Sequence, residues 1–143
     1  MMLPPSHGDL PQPVYFFDGF CVLCSGFVRF CLEHDGDGTL LFASAQSSLG
    51  ARVVSALGLP ASTLDRTILL IEDGRVFSQS TAVLRALRHL RGWPRLLFPL
   101  SWVPRPIRDP LYDLVARHRY RWFGRRPACF VPDPATRHRF LDL

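Results

Sequence analysis

The chain has no lysine and no asparagine, and all seventeen of its basic residues are arginines. Codons for lysine and asparagine are rich in A and T, so this bias is typical of a GC-rich genome. The arginines are therefore weak evidence for a selected bidentate anion site. The formal net charge of +5 permits an acidic partner, nucleic acid or anionic lipid, but charge alone identifies none of them.

Long apolar runs are also absent. No stretch approaches the roughly 20 apolar residues of a membrane-spanning helix, so the sequence predicts no transmembrane segment. Residues 1–13 contain four prolines and lack both a cationic start and an apolar core. We expect a flexible, proline-rich N-terminus without a signal peptide, and a cytoplasmic protein.

Cysteine is scarce, with four residues at unequal spacing in 143. This number excludes a disulfide scaffold and leaves redox chemistry, metal binding or a place in the core. An apolar content of 48% is enough for one hydrophobic core in a chain of this length, so a single core is expected.

The first part of the chain alternates between strand and helix patterns. A continuous apolar run at residues 14–17 predicts a strand buried on both faces. Apolar residues at three- and four-residue spacing then predict a helix over residues 20–34. A second apolar strand follows at residues 40–43, parallel to the first because such crossovers are right-handed. Ser48 is predicted to cap the next helix.

A hairpin and a third long helix come next. Residues 67–72 are β-branched and aliphatic, and Asp73-Gly74 is a preferred two-residue hairpin turn. Ser80 is predicted to cap a helix over residues 80–90. The order β-α-β-α-β-β-α predicts an α/β, thioredoxin-like fold for residues 14–92.

Residues 93–143 are predicted to form a helical extension and tail packed on the same domain. Five prolines between residues 94 and 110 predict short helical turns, and an arginine-rich helix follows over residues 107–123. The side of this helix predicted to close the core carries Leu111, Leu114, Val115 and His118. Residues 125–143 are predicted to be irregular.

Cys21 and Cys24 lie directly after a buried strand and on the first turn of a helix. Residues three apart on a helix are neighbours, so the two sulfurs can reach each other. Unpaired N–H groups and the helix dipole would stabilise a thiolate at Cys21. The pattern predicts that Cys21 attacks a disulfide and that Cys24 resolves the mixed disulfide. Asp18 either shuttles a proton for the resolving thiol or caps the turn into the helix.

Other interpretations stay open. Both thiols can be inert core residues, or Cys31, His34 and Cys129 can join them around zinc or an iron-sulfur cluster. The favoured interpretation needs no cofactor and no metal, and treats Cys31 as a core residue. The arginine-rich helix can be a solvated basic face, or an interaction module for an acidic partner, nucleic acid or a membrane surface without redox turnover. Nucleic acid is the less favoured partner.

At several positions the sequence resembles the DCC family of thiol-disulfide oxidoreductases, which is named for an Asp-Cys-Cys motif. The similarity spans residues 14–124 and rests on Asp18-Gly19-Phe20-Cys21-Val22-Leu23-Cys24, Asp73-Gly74, Ser80, Ala82, Arg108-Asp109, Tyr112, Ala116, Arg119-Tyr120 and Phe123-Gly124. The resemblance implies a thioredoxin-like fold and dithiol-disulfide exchange through a redox-active disulfide.

The expected partners are a disulfide-containing protein or a small thiol, together with an electron donor of unknown identity.

One departure from thioredoxins concerns how a substrate docks. Thioredoxins place a cis-proline directly before the third strand, whereas here Arg66 precedes Thr67 and the nearest proline is Pro60. Substrate recognition is therefore expected to differ.

Overall fold

The computed structural model of the chain describes residues 13–35, 38–60, 62–125, 127 and 134–141, without the side chains of Asp65 and Arg66. The predictions for residues 1–12 and for Cys129 lie outside the described residues.

One mixed sheet of five strands has the order β4-β3-β1-β2-β5. The strands are β1 (Val14–Phe17), β2 (Leu41–Ser44), β3 (Leu69–Glu72), β4 (Arg75–Ser78) and β5 (Phe140–Leu141). β1 pairs in parallel with β2, as predicted, while β3 runs antiparallel to β1 and β4. This arrangement confirms the predicted thioredoxin-like fold with a C-terminal helical extension.

The helices lie on both faces of the sheet, and others form the C-terminal extension of the chain. They are α1 (Val22–His34), α2 (Ser48–Ala56), α3 (Thr63–Arg66), α4 (Gln79–Leu87), α5 (Arg105–Phe123) and the 3₁₀ helices Trp93–Trp102 and Arg137–Arg139. Within the described residues, none of them combines the length and the apolarity that crossing a membrane requires.

The buried run of β1 divides the core in two. Tyr15 and Phe17 pack with the buried residues of α1 and α4, whereas Val14 and Phe16 pack with those of α2. Successive side chains of a strand point to opposite faces, so a strand covered on both sides is apolar throughout. β1 therefore lies at the centre of the fold, and its last residue, Phe17, leads directly to the cysteine pair.

The hairpin turn is confirmed, since Asp73 and Gly74 have φ angles of 53° and 75° and both lie in the left-handed region that such turns require. Both predicted helix caps were wrong. Ser47, not Ser48, is the N-cap of α2, because its Oγ accepts the Gly50 N–H at 3.1 Å. Ser78 is the N-cap of α4, and Ser80 instead donates to Asp109 of α5.

The prediction that the whole tail is irregular was wrong, because Phe140 and Leu141 pair in parallel with β2. The preceding residue, Arg139, is buried and holds this strand in place. Its Nη2 donates to Asp35 Oδ2 at 2.6 Å, and its Nε donates to the Leu40 carbonyl at 3.0 Å. A charged contact between distant segments therefore fixes the fifth strand.

The prediction for the inner side of α5 was also wrong. Leu111, Leu114 and Val115 are 65%, 41% and 37% exposed. His118 is half-buried and is not a core residue. Its Nδ1 contacts the Leu114 carbonyl at 2.8 Å. Polar residues attach the helix instead, including Tyr112, whose hydroxyl accepts the Ile68 N–H at 3.2 Å.

Arg139→Ala is expected to lower the free energy of unfolding by about 3–5 kcal/mol, because it leaves the Asp35 carboxylate buried without its cation. Urea unfolding measures the loss. Arg137→Ala is the matched control, since Arg137 lies in the same 3₁₀ turn and is exposed; its effect should stay within about 0.5 kcal/mol. Equal losses in the two variants would show that the buried ion pair does not hold β5.

Candidate active site

The turn after β1 places the two cysteines. Cys21 is the N-cap of α1, and its Sγ accepts the backbone N–H of Cys24 at 3.3 Å. A sulfur thus occupies the position where a Ser or Asp oxygen usually satisfies the first turn of a helix. Both cysteines are free thiols. The N-terminal end of the helix dipole favours negative charge at this atom.

The two thiols have opposite acidities. A hydrogen bond from the Cys24 thiol lowers the pKa of Cys21 to about 6, aided by the Cys24 N–H and the charge of Arg119, although burial and Asp18 oppose the shift. The same hydrogen bond, burial and the negative charge on Cys21 raise the pKa of Cys24. At neutral pH the site therefore holds a thiolate at Cys21 and a protonated thiol at Cys24.

The Asp18 carboxylate ties the cysteine turn to two other segments. Its Oδ1 accepts the Phe20 N–H and the Gln46 side-chain amide, both at 3.0 Å. Its Oδ2 accepts Arg119 Nη2 at 3.3 Å and the hydroxyl of Tyr120. Arg119 and Tyr120 belong to the last turns of α5, so this one carboxylate joins the cysteine turn, the loop after β2 and α5.

These contacts decide the charge of Asp18. Burial alone would raise its pKa, but the hydrogen bonds from Tyr120, Phe20, Gln46 and Arg119 outweigh burial and lower it. Burial and the bond to this carboxylate raise the pKa of Tyr120 to about 12. A carboxylate whose ionised form is stabilised by these donors accepts a proton poorly. The lowered pKa therefore favours the capping role of Asp18 over the proton shuttle.

The end of α5 covers Cys21. The Gly124 carbonyl accepts the Val22 N–H at 3.3 Å, and Arg125 forms a β-bridge with Cys21. Gly124 has a φ of 97°, a conformation that glycine adopts without strain. Cys21 has no exposed surface, whereas Cys24 is only partly buried and lines an apolar cavity.

Two further candidate ligands, Cys31 and His34, do not gather at this site. Cys31 is fully buried in the core cluster of α1 and α4, and burial raises its pKa. His34 contacts the Phe30 carbonyl at 2.9 Å and packs on aromatic rings. Among the described residues, no three or more His, Cys, Asp or Glu side chains are grouped as metal ligands would be.

Sequence reasoning from the cysteine motif did not give a role to three residues of the site, namely Gln46, Arg119 and Tyr120. The pair Arg119-Tyr120 was visible only as part of the resemblance, without a role attached. Gln46 carried no signal, because an exposed glutamine after a strand has no distinctive pattern.

The fold and the site define a class. A Cys-x-x-Cys pair at the start of the first helix, next to the central strand of a thioredoxin-like sheet, is the arrangement of a thiol-disulfide oxidoreductase. The sequence model of the DCC1-like thiol-disulfide oxidoreductase family matches residues 15–125. The chain belongs to this family.

Two relatives support the assignment. The chain is 42% identical over 133 residues to the uncharacterized protein YuxK of Bacillus subtilis, covering 93% of this chain and 96% of that protein. It is 34% identical over 119 residues to a chloroplastic DCC family protein of Arabidopsis thaliana, covering 82% of this chain and 69% of that one. No solved structure matches the chain.

Arg119→Gln is expected to raise the pKa of Cys21 above about 6, because it removes a cation that lowers this pKa and leaves the opposing charge of Asp18. The measurement is the thiolate ultraviolet absorbance of reduced protein against pH. Arg119→Lys keeps the charge and should restore most of the shift. Arg117→Gln, exposed on the same helix, is the control. An unchanged midpoint in folded Arg119→Gln would contradict the assigned role.

Proposed function

We propose that the protein exchanges a dithiol for a disulfide, with Cys21 as nucleophile and Cys24 as resolving thiol. The observation that carries the proposal is the position of the Cys21 sulfur at the N-terminus of α1. There it caps the helix and accepts the Cys24 N–H at 3.3 Å. The low pKa of Cys21 supports nucleophilic attack at neutral pH, because the thiolate is the reactive form. Family membership supports a redox role in general.

The exchange takes place in two displacements. The Cys21 thiolate attacks a substrate disulfide, a bond to one substrate sulfur forms, and the other substrate sulfur leaves as a thiolate. Cys24 then loses its proton and attacks Cys21, which forms the Cys21–Cys24 disulfide and releases the second substrate thiolate. Two electrons move from the protein to the substrate, and the reverse sequence oxidises a substrate dithiol.

Asp18 acts in this proposal as a positioning residue. It fixes Arg119, whose charge lowers the pKa of Cys21, and it caps the turn through the Phe20 N–H. The alternative role, proton transfer from Cys24, would require Asp18 to accept a proton against its lowered pKa. We expect Asp18→Asn to change the Cys21 pKa more than the rate of the second displacement.

The proposed setting is the cytoplasm, with a disulfide-containing protein or a small thiol as partner and a separate electron donor. The competing function is a metal-binding or basic interaction module without turnover. Purified protein that contains stoichiometric zinc and loses structure with a chelator would favour the metal module. Binding to a polyanion that weakens steeply with salt would favour the basic module.

Cys21→Ser is expected to abolish exchange, and Cys24→Ser to accumulate mixed disulfides, because each removes one of the two displacements. Insulin reduction and intact-protein mass measure the two outcomes. Cys31→Ala, on the same helix but outside the pair, should keep its exchange activity. Full turnover by Cys21→Ser would refute the nucleophile assignment.

The reduction potential should bend with pH at the pKa of Cys21. Below about 6 both thiols are protonated, so two protons accompany two electrons and the potential falls by about 59 mV per pH unit. Above about 6 Cys21 stays ionised, one proton is taken up, and the slope halves to about 30 mV.

A redox titration against glutathione at several pH values, read by alkylation and mass, checks this slope. A bend near about 8.5, the ordinary thiol value, would show that Cys21 is not activated. If the pair never forms a disulfide, the redox proposal falls and the metal content must be measured.

A further inference from the structure

A cavity of about 510 Å³ opens beside Cys24, between α1, α4, α5 and the 3₁₀ helix Trp93–Trp102. Most of its wall is apolar, including Phe27, Val83, Leu84 and Ala116. This volume falls in the range of small-molecule pockets, which are mainly apolar with few polar groups. Asp18 and Arg119 lie in the wall as well, so the cavity adjoins the charged side of the site.

The mouth of the cavity is reached from solvent across exposed apolar residues. Leu100 and Leu111 line the cavity, yet they are 50% and 65% exposed. An apolar molecule can therefore enter the cavity past the exposed side chains of Leu100 and Leu111. The misassigned face of α5 is explained by this position, because Leu111 and Val115 border a space and not a packed core.

A peptide cannot pair in the usual way with the backbone at Ile68, the residue directly before β3. Extended peptides dock by pairing with free backbone N–H and C=O groups. Here the Ile68 N–H is taken by the Tyr112 hydroxyl at 3.2 Å, and α5 covers this place. The concave apolar space therefore suits a small molecule better than an extended chain.

The two cysteines differ in access from the cavity. Cys24 belongs to its lining, whereas Cys21 does not and is covered by Gly124 and Arg125. A molecule bound in the cavity meets Cys24 first. In the proposed function, by contrast, a substrate disulfide reacts at Cys21.

We propose that the cavity binds the apolar body of a small dithiol reductant, which attacks the Cys24 sulfur of the oxidised Cys21–Cys24 pair. The inference rests on the proposed function, because it needs that disulfide to form. It names the chemical class of the electron donor, which neither the fold nor the family gives.

The chemistry balances with the reductant alone. One thiolate of the reductant bonds to the Cys24 sulfur, the Cys21–Cys24 bond breaks, and Cys21 leaves as a thiolate. The second reductant thiolate attacks its own mixed disulfide, closes a ring and releases Cys24, which takes up a proton. The reductant loses two electrons and the protein disulfide gains them. Cys21 suits the leaving role because low-pKa thiols leave faster.

The test compares dihydrolipoamide, whose body is apolar, with dithiothreitol, which carries two hydroxyls. Each reduces the oxidised protein, and each rate is divided by its rate with oxidised glutathione to remove intrinsic reactivity. We expect the corrected rate of dihydrolipoamide to be at least ten-fold higher and to saturate with concentration. Equal corrected rates would overturn the proposal while leaving the proposed function intact.

Three variants locate the effect. Ala116→Trp fills the cavity and should remove the preference for dihydrolipoamide. Leu111→Glu places a carboxylate at the exposed mouth and should lower the preference at least several-fold. Leu114→Glu is the control, because Leu114 is exposed on the same helix but does not line the cavity. Equal effects of the two Glu variants would overturn the proposal.

Peptide mass mapping of oxidised protein quenched soon after mixing with octanethiol identifies the attacked sulfur. An adduct on Cys24 with Cys21 free supports the proposal, and an adduct on Cys21 contradicts it. The glutathione titration distinguishes a failure of the proposed function from a failure of the cavity proposal, because it tests formation of the Cys21–Cys24 disulfide without the cavity. If no disulfide forms there, the proposed function and this inference both fail.

Discussion

The carboxylate of Asp18 is the contact on which the arrangement of the site depends. It is buried after β1 and receives donors from Phe20, Gln46, Arg119 and Tyr120. Burying a carboxylate costs several kcal/mol unless hydrogen bonds and a cation offset the loss of water. Two of the donors, Arg119 and Tyr120, lie 101 and 102 positions from Asp18 along the chain, so they reach it only in the folded chain.

Polar contacts also attach the first half of α5. The helix presents leucines and valine to solvent and to the cavity, and holds the domain through polar groups: Arg108 donates to Ser80 at 3.0 Å, and Ser80 donates to Asp109 at 2.5 Å. Directional contacts fix where a helix lies without filling the space beneath it. The open space beside Cys24 and the charge of Arg119 beside Cys21 follow from the same mode of attachment.

Local patterns were sufficient for the central elements. β1, α1, β2 and the hairpin at Asp73 follow from apolar periodicity and turn chemistry, which act over a few residues. Cys21 and Cys24 were found for the same reason, since helix position and spacing lie within one short segment. The roles of Cys21, Cys24 and Asp18 remain proposals.

Sequence patterns failed where distant contacts decide. β5 has two residues, too few for any alternation, and Arg139 fixes it through Asp35. The apolar positions of α5 obey helical periodicity, but periodicity cannot tell a packed face from the wall of a cavity. Ser80 has the composition of a cap and is used as a tether to Asp109.

The pairing of β5 with β2 has a consequence for biosynthesis. Phe140 lies beside Phe42, so nearly a hundred residues must be made before this edge of the sheet can close. Ribosomes synthesise a chain at about 5–20 residues per second. β2 cannot pair with β5 until β5 has been made. During that interval β2 is an unpaired edge open to strands of other chains. Until residues 140 and 141 have been made, β2 therefore carries the pairing hazard of an exposed edge strand.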